Sequence, residues 1–160
     1  MHTDTTAVPA IAAGLAGPAQ VEALADQLSQ CADALHARVL RELRARRGGP
    51  YSEAQQAVAR GMFDQEIVLR QRANGLYANA ARHVVEDLDP SQQELLQLTA
   101  EAGERIDRIA MIGNAAGLVS ALVMLAAAVA SGQPAPIVQA VDKVRRQIRR
   151  LDALAPERPA

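Results

Sequence analysis

Apolar positions recur in steps of three and four along most of this chain, the spacing that places side chains on one face of an α-helix. The first such stripe is Val21, Leu24, Leu28, Cys31 and Leu35, continued by Val39 and Leu43. Pro18 suits the first turn of that helix, and Gly48-Gly49-Pro50 after a run of arginines is a stop signal. A second stripe, Val58, Met62, Leu69, Ala73, Leu76, Ala80, Val84 and Leu88, follows Ser52, which with Gln55 makes a capping box. Phe63, Ile67 and Val68 widen this stripe, so the helix is expected to touch two neighbours. Read through to Leu88, it spans about 55 Å at about 1.5 Å per residue.

Asp89-Pro90 restarts the chain, with Asp89 placed to cap and Pro90 to enter the first turn. Leu95, Leu98, Ala102, Ile106 and Ile109 then lead into Ile109–Ser131, part of a stretch without charge between Arg108 and Asp142. The pattern predicts one long third helix ending at Gly132-Gln133-Pro134-Ala135-Pro136. Ile137, Val141, Val144, Ile148 and Leu151 define a short fourth. No two-residue alternation suggests a strand. The expected architecture is all-α: a single up-down-up-down four-helix bundle over residues 18–154, with long helices 2 and 3 and a short helix 4. Residues 1–17 read as a flexible arm and 155–160 as a loose tail.

The uncharged segment is long enough to span a bilayer. Its strong inserters contribute only roughly −3 to −4 kcal/mol, with Gly113, Asn114, Gly117 and Ser120 opposing them. The other three stripes each need a partner, so it is expected to be the buried central helix of the bundle. Gly113-x-x-x-Gly117 is a spacing for close helix approach, and Gly113-Asn114 is a candidate kink.

A length of 160 residues fits one domain. Alanine and leucine dominate, and the aromatic residues are Tyr51, Phe63 and Tyr77, so the helices should pack through small side chains. A net charge of −1 gives no field toward nucleic acid, and no aromatic residues interleave the arginines, so nucleic acid is an unlikely partner. Cys31 stands alone on a core seam, without a disulfide or a cysteine metal cage. His2, His36 and His83 form no Glu-x-x-His set, and His83 with Asp87 reads as a surface pair. No serine elbow, glycine-rich phosphate loop or clustered carboxylate pair is present, so neither a cofactor nor an enzymatic activity is expected. The N-terminus lacks a basic n-region, giving the expectation of a cytoplasmic protein or one exported without a cleaved signal.

Three surfaces are candidates for binding. In the expected topology the loop after helix 1 and the loop before helix 4 share one end. This tip carries Arg44, Arg46, Arg47 and Tyr51. Below it, Arg38 and Arg41 would merge with Lys143, Arg145, Arg146, Arg149 and Arg150 into one basic face, suited to acidic phospholipid. At the other end, helices 2 and 3 would overhang the bundle with Val84, Leu88, Leu95 and Leu98 short of neighbours.

The overhang implies a non-enzymatic interaction module that docks a protein partner or itself. The tip implies a membrane-surface targeting bundle, an architecture that resembles the four-helix localisation domains of some bacterial toxins and effectors. A third expectation is a secreted helical protein whose apolar helix inserts into a target membrane. Leu88-Asp89-Pro90-Ser91-Gln92 is similar to the LTxxQ motif of periplasmic helical-hairpin stress and metal-sensor proteins, with Asp89 where that motif has threonine. No metal-binding histidines accompany it, and no role is carried over.

Overall fold

The computed structural model describes residues 13–45 and 51–154. Among these the protein is all-α, with five helices: α1 Pro18–Arg44, α2 Glu53–Ala78, α3 Gln92–Arg108, α4 Ala116–Ser131 and α5 Pro134–Leu154. Short 3-10 turns occupy Ala80–His83 and Ile112–Ala115. The expected third helix is therefore two helices, and the four-helix layout is replaced by a five-helix one.

Side-chain contacts fix the directions. His36 meets Glu66 and Asp33 meets Arg70, so α2 runs against α1. Gln20 bonds to Gln92 at one end of α1 and Arg41 to Asp107 at the other, so α3 runs with α1. Val58 lies against Gly113 and Gln65 bonds to Ser120, so α4 runs with α2. Lys143 reaches Met124 and Gln147 lies against Gly117, so α5 returns against α4. The chain thus reverses between α3 and α4, where one straight helix was expected.

The reversal is held from α1. Beyond Arg108 the backbone is extended at Ile109 and Met111. Arg38 donates from Nε to the Ile109 carbonyl and from Nη2 to the Ala110 carbonyl, both at 2.8 Å. Arg41 Nη2 donates to the Asp107 carbonyl at 2.7 Å. One carbonyl of the last turn of α3, Asp107, and the two at and just beyond its C-cap, Ile109 and Ala110, are thus taken up by two guanidinium groups. The Ile112 N–H then points to Glu42 Oε2 at 3.4 Å.

Helix 2 also ends earlier than its stripe suggests. It stops at Ala78, and Asn79 leaves helical geometry at φ −125° and ψ 35°. Ser52 caps its start, with the reciprocal Gln55 bond present. At α3 the cap is Ser91 with Glu94, not Asp89.

The core runs through Leu24, Leu28 and Leu35 of α1, Leu69 and Leu76 of α2, Ile106 of α3, and Leu118, Leu122 and Leu125 of α4. Each such side chain contributes about 1.5–3 kcal/mol through burial. The α5 stripe, Ile137, Val141, Val144, Ile148 and Leu151, is buried as the sequence suggests.

Residues 13–17, expected in the arm, pack onto the bundle through Gly14 and Leu15. Leu15 is fully buried despite its left-handed φ of 61°. Its N–H donates to Gln92 Oε1 and its carbonyl accepts from the Val85 N–H. Gly14 N–H bonds to the Pro90 carbonyl at 3.1 Å, so closely that a Cβ on Gly14 would lie 2.6 Å from that oxygen. Residues 1–12 and 155–160, the rest of the expected arm and tail, lie outside the described residues.

The expectation of a central, fully enclosed apolar helix is also corrected. Ile112–Ser131, with mean hydropathy 2.0, is long and apolar enough to cross a membrane, yet only 56% of its most apolar window is buried. The main neighbours of α4 are α2 and α5, which cover Leu118, Val119, Leu122, Leu125, Ala126 and Val129 and leave its other side open.

Candidate interaction surface

The expected overhang does not exist as an exposed surface. Leu88, Leu95 and Leu98 are buried and Val84 is half-buried. The chain segment around Gly14 and Leu15 closes over Leu88 and Leu95.

Of the expected tip, Arg44 and Tyr51 lie among the described residues, and the Gly132 turn does not join them. Arg46 and Arg47 lie outside the described residues. Arg44 is exposed at the end of α1, and Tyr51 is half-buried with its hydroxyl donating to the Leu43 carbonyl. The Gly132 turn was expected beside them. Because α4 runs with α2 and touches the Ala80–His83 turn, it lies at the opposite end.

Nor is there one merged basic face. Helix α3 packs against both α1 and α5, carrying Asp107 toward Arg41 and Arg105 toward Asp152. Arg38 and Arg41 serve the end of α3. The Arg105 pairing, at 2.6 Å, holds the Asp152 carboxyl below its usual range and raises the Arg105 guanidinium further.

The basic residues of α5 divide between two sides. Arg145 and Arg149 line a polar groove with Glu94, Glu101 and Arg105 of α3, and Arg145 also meets Asp142 at 3.5 Å. Lys143 and Arg146 border the other side, toward α4, and Arg150 follows Arg146 at helical spacing.

On that second side the structure brings together what the sequence kept apart. The outer face of α4 carries Ser120, Val123, Met124, Ala127, Ala128 and Ser131, all exposed or half-buried and none charged. Met124 is 47% exposed. Its sulfur accepts from Lys143 Nζ at 3.1 Å, which lays the ammonium over the edge of the apolar face. Between α4 and α5 lies an open groove of about 620 Å³, floored by Met124, Ala127, Ala128, Pro136 and Ala140, with Lys143 and Arg146 at its rim. Gly132, at φ 71°, makes the left-handed turn that folds α5 back to form it.

A second concavity sits at the Tyr51 end. It is an apolar cleft of about 190 Å³ lined by Val39, Leu43, Tyr51, Val58 and Ile112, with Met111 63% exposed at its rim and Glu42 in its wall. Sequence periodicity could not find it, because it is built around the break between α3 and α4.

Among the described residues no group of three His, Cys, Asp or Glu side chains could hold a metal ion. Glu66, though nearly buried, is met by His36 Nδ1 and Arg70 Nη2, both at 2.9 Å, a bridge that fastens α1 to α2. The helical geometry expected for His83 and Asp87 is absent, since the 3-10 turn ends at His83 and Asp87 has φ 58°. Cys31 Sγ donates to the Thr99 carbonyl at 3.2 Å, and burial pushes its thiol up to about 12. A thiol so protonated is no nucleophile at neutral pH.

Comparison with family models, curated proteins and solved structures finds no match to this chain.

Proposed function

We propose that this protein is a non-enzymatic helical module that docks on an anionic membrane surface through the α4–α5 face. The observation that carries the reading is the outer face of α4: uncharged over its whole length, exposed or half-buried, and bordered by Lys143 and Arg146 of α5, with Arg150 one turn further along the same α5 stripe. An apolar strip edged by cations matches the boundary between lipid headgroups and acyl chains. Each basic residue near an acidic leaflet contributes about 1 kcal/mol. Met124 is the large apolar side chain exposed on this face, with Val123 half-buried behind it, which favours surface docking over insertion.

Sedimentation with vesicles tests this. Binding is expected with phosphatidylglycerol in phosphatidylcholine, with loss at high salt, and not with phosphatidylcholine alone. Binding that resists salt and protects α4 from protease would instead mean insertion of the apolar helix. An absence of binding to either vesicle would overturn the proposal.

The cleft at Tyr51 favours a second reading, docking of a protein partner. The occupant that fits it is an apolar side chain beside a basic residue able to meet Glu42, the carboxylate in an otherwise apolar wall. Val58→Asp should then abolish binding of an amidated Leu-Lys peptide, read at the Met111 methyl. Light scattering over a range of concentrations shows whether a second copy supplies that side chain. A silent Met111 methyl together with a constant monomer mass would rule this reading out.

A further inference from the structure

We infer that the α4–α5 groove is a site for one anionic amphiphile, holding a single acyl chain along its floor and a phosphate monoester or phosphodiester headgroup between Lys143 and Arg146. The inference rests on the membrane-docking reading and sharpens it from a surface to a site.

The groove has the two chemical halves that such a ligand needs. Met124, Ala127, Ala128, Pro136 and Ala140 make a floor of small or flexible apolar groups, shallow enough for a methylene chain. Among its lining residues the charged ones are Lys143 and Arg146, both cationic. They sit three apart on α5, so their head groups rise from neighbouring turns of the same face.

Among the described residues neither cation is within ion-pair distance of a carboxylate. Lys143 Nζ rests on the Met124 sulfur, a weak acceptor that a phosphate oxygen would readily replace. Arg146 offers the planar fork that suits two phosphate oxygens. The neighbouring groove on the α3 side makes the contrast: there Arg145 and Arg149 face Glu94 and Glu101, and an anion would meet repulsion as well as attraction.

A free phosphate and a lipid headgroup share the chemistry at the cationic end, and only the lipid uses the apolar floor. The test is therefore made with the full chain and monomeric decyl phosphate below its micellar concentration, beside inorganic phosphate and decanol. Carbon-13 labelling of the four methionine methyls supplies the readout.

Decyl phosphate should move the Met124 methyl and leave Met62, which is buried, and Met111, at the Tyr51 end, unmoved. Inorganic phosphate and decanol should each bind at least about tenfold more weakly, because each lacks half of the site. Lys143→Gln with Arg146→Gln should remove the preference of decyl phosphate over decanol. Ala127→Phe, a substitution at a half-exposed position, should block the chain while leaving the helical spectrum intact.

Equal binding of decyl phosphate and decanol, or a response at Met111 instead of Met124, would overturn the site. Vesicle binding that persists while decyl phosphate leaves Met124 unmoved would sink the site but keep the docking surface. Loss of both would sink both. Binding of decyl phosphate without any vesicle binding would support the site and remove the membrane role.

Discussion

Arg38 Nε lies 2.8 Å from the carbonyl oxygen of Ile109, the residue at which α3 leaves helical geometry. With its Nη2 on the Ala110 carbonyl, this side chain helps to hold the break after a helix whose sequence pattern would allow it to continue. It also explains why Arg38 is not free for a basic face. Arg38→Ala should cost about 1.5–3 kcal/mol in urea denaturation, the range for lost hydrogen bonds to a charged donor. The same variant should sediment with acidic vesicles as the wild type does. Unchanged stability would contradict the capping role.

The segment before α1 is a second point at which the core can be tested. Leu15 is fully buried and covers the region of Leu88 and Leu95. Leu15→Ala should therefore destabilise by about 2–5 kcal/mol, as buried leucine truncations do. A denaturation midpoint equal to wild type would show that the segment is peripheral.

Gly117 was read as part of a close-packing pair with Gly113, but the two do not share a helix: Gly113 belongs to the 3-10 turn and meets Val58, whereas Gly117 opens α4 and meets Gln147. An added Cβ at Gly117 would press on Gln147 Oε1, the far end of a flexible side chain. Gly117→Ala should shift stability by less than about 1 kcal/mol, with the gain in helix propensity offsetting the displacement. A loss well beyond that range would mean that Gln147 is held in place.

Cys31 provides a pH-dependent check on the core. Its thiol is raised from 9.0 to about 12 by burial, so the unfolded chain loses this proton at lower pH than the folded one. The stabilisation is complete below about pH 9 and is lost as pH climbs toward about 12, since a group binding its proton more tightly when folded favours folding only where that proton is retained. At neutral pH, 5,5′-dithiobis(2-nitrobenzoate) should label Cys31 only after denaturant is added. Immediate labelling of the native protein would contradict the burial of the thiol.

The parts of the fold that were legible in the sequence are those whose causes are local. The α1 seam, the Ser52–Gln55 cap and the α5 stripe follow from spacing and turn chemistry within a few residues. The break at Ile109 was not legible, because an uncharged run has little periodicity to interrupt and the groups that hold it, Arg38 and Glu42, come from another helix. The end of α2 was hidden for a related reason: the apolar steps continue through Ala80, Val84 and Leu88 after helical geometry stops. The candidate site followed from that missed reversal. Lys143 and Arg146 were visible as basic residues, but a straight third helix would have set the Gly132 turn beside Tyr51 and joined their stripe to α1. The reversal sends that turn to the opposite end and leaves Lys143 and Arg146 bordering the open face of α4.

The most direct test of the account is co-sedimentation of phosphatidylglycerol-containing vesicles with the triple variant Lys143→Glu, Arg146→Glu and Arg150→Glu. A charge reversal at Arg44 serves as the control. These positions are exposed or half-exposed on helices whose cores are otherwise formed, so the fold should survive. The account predicts that the triple variant stays in the supernatant while the Arg44 variant pellets with wild type. Full binding by the triple variant, or loss of binding on reversing Arg44 alone, would contradict it.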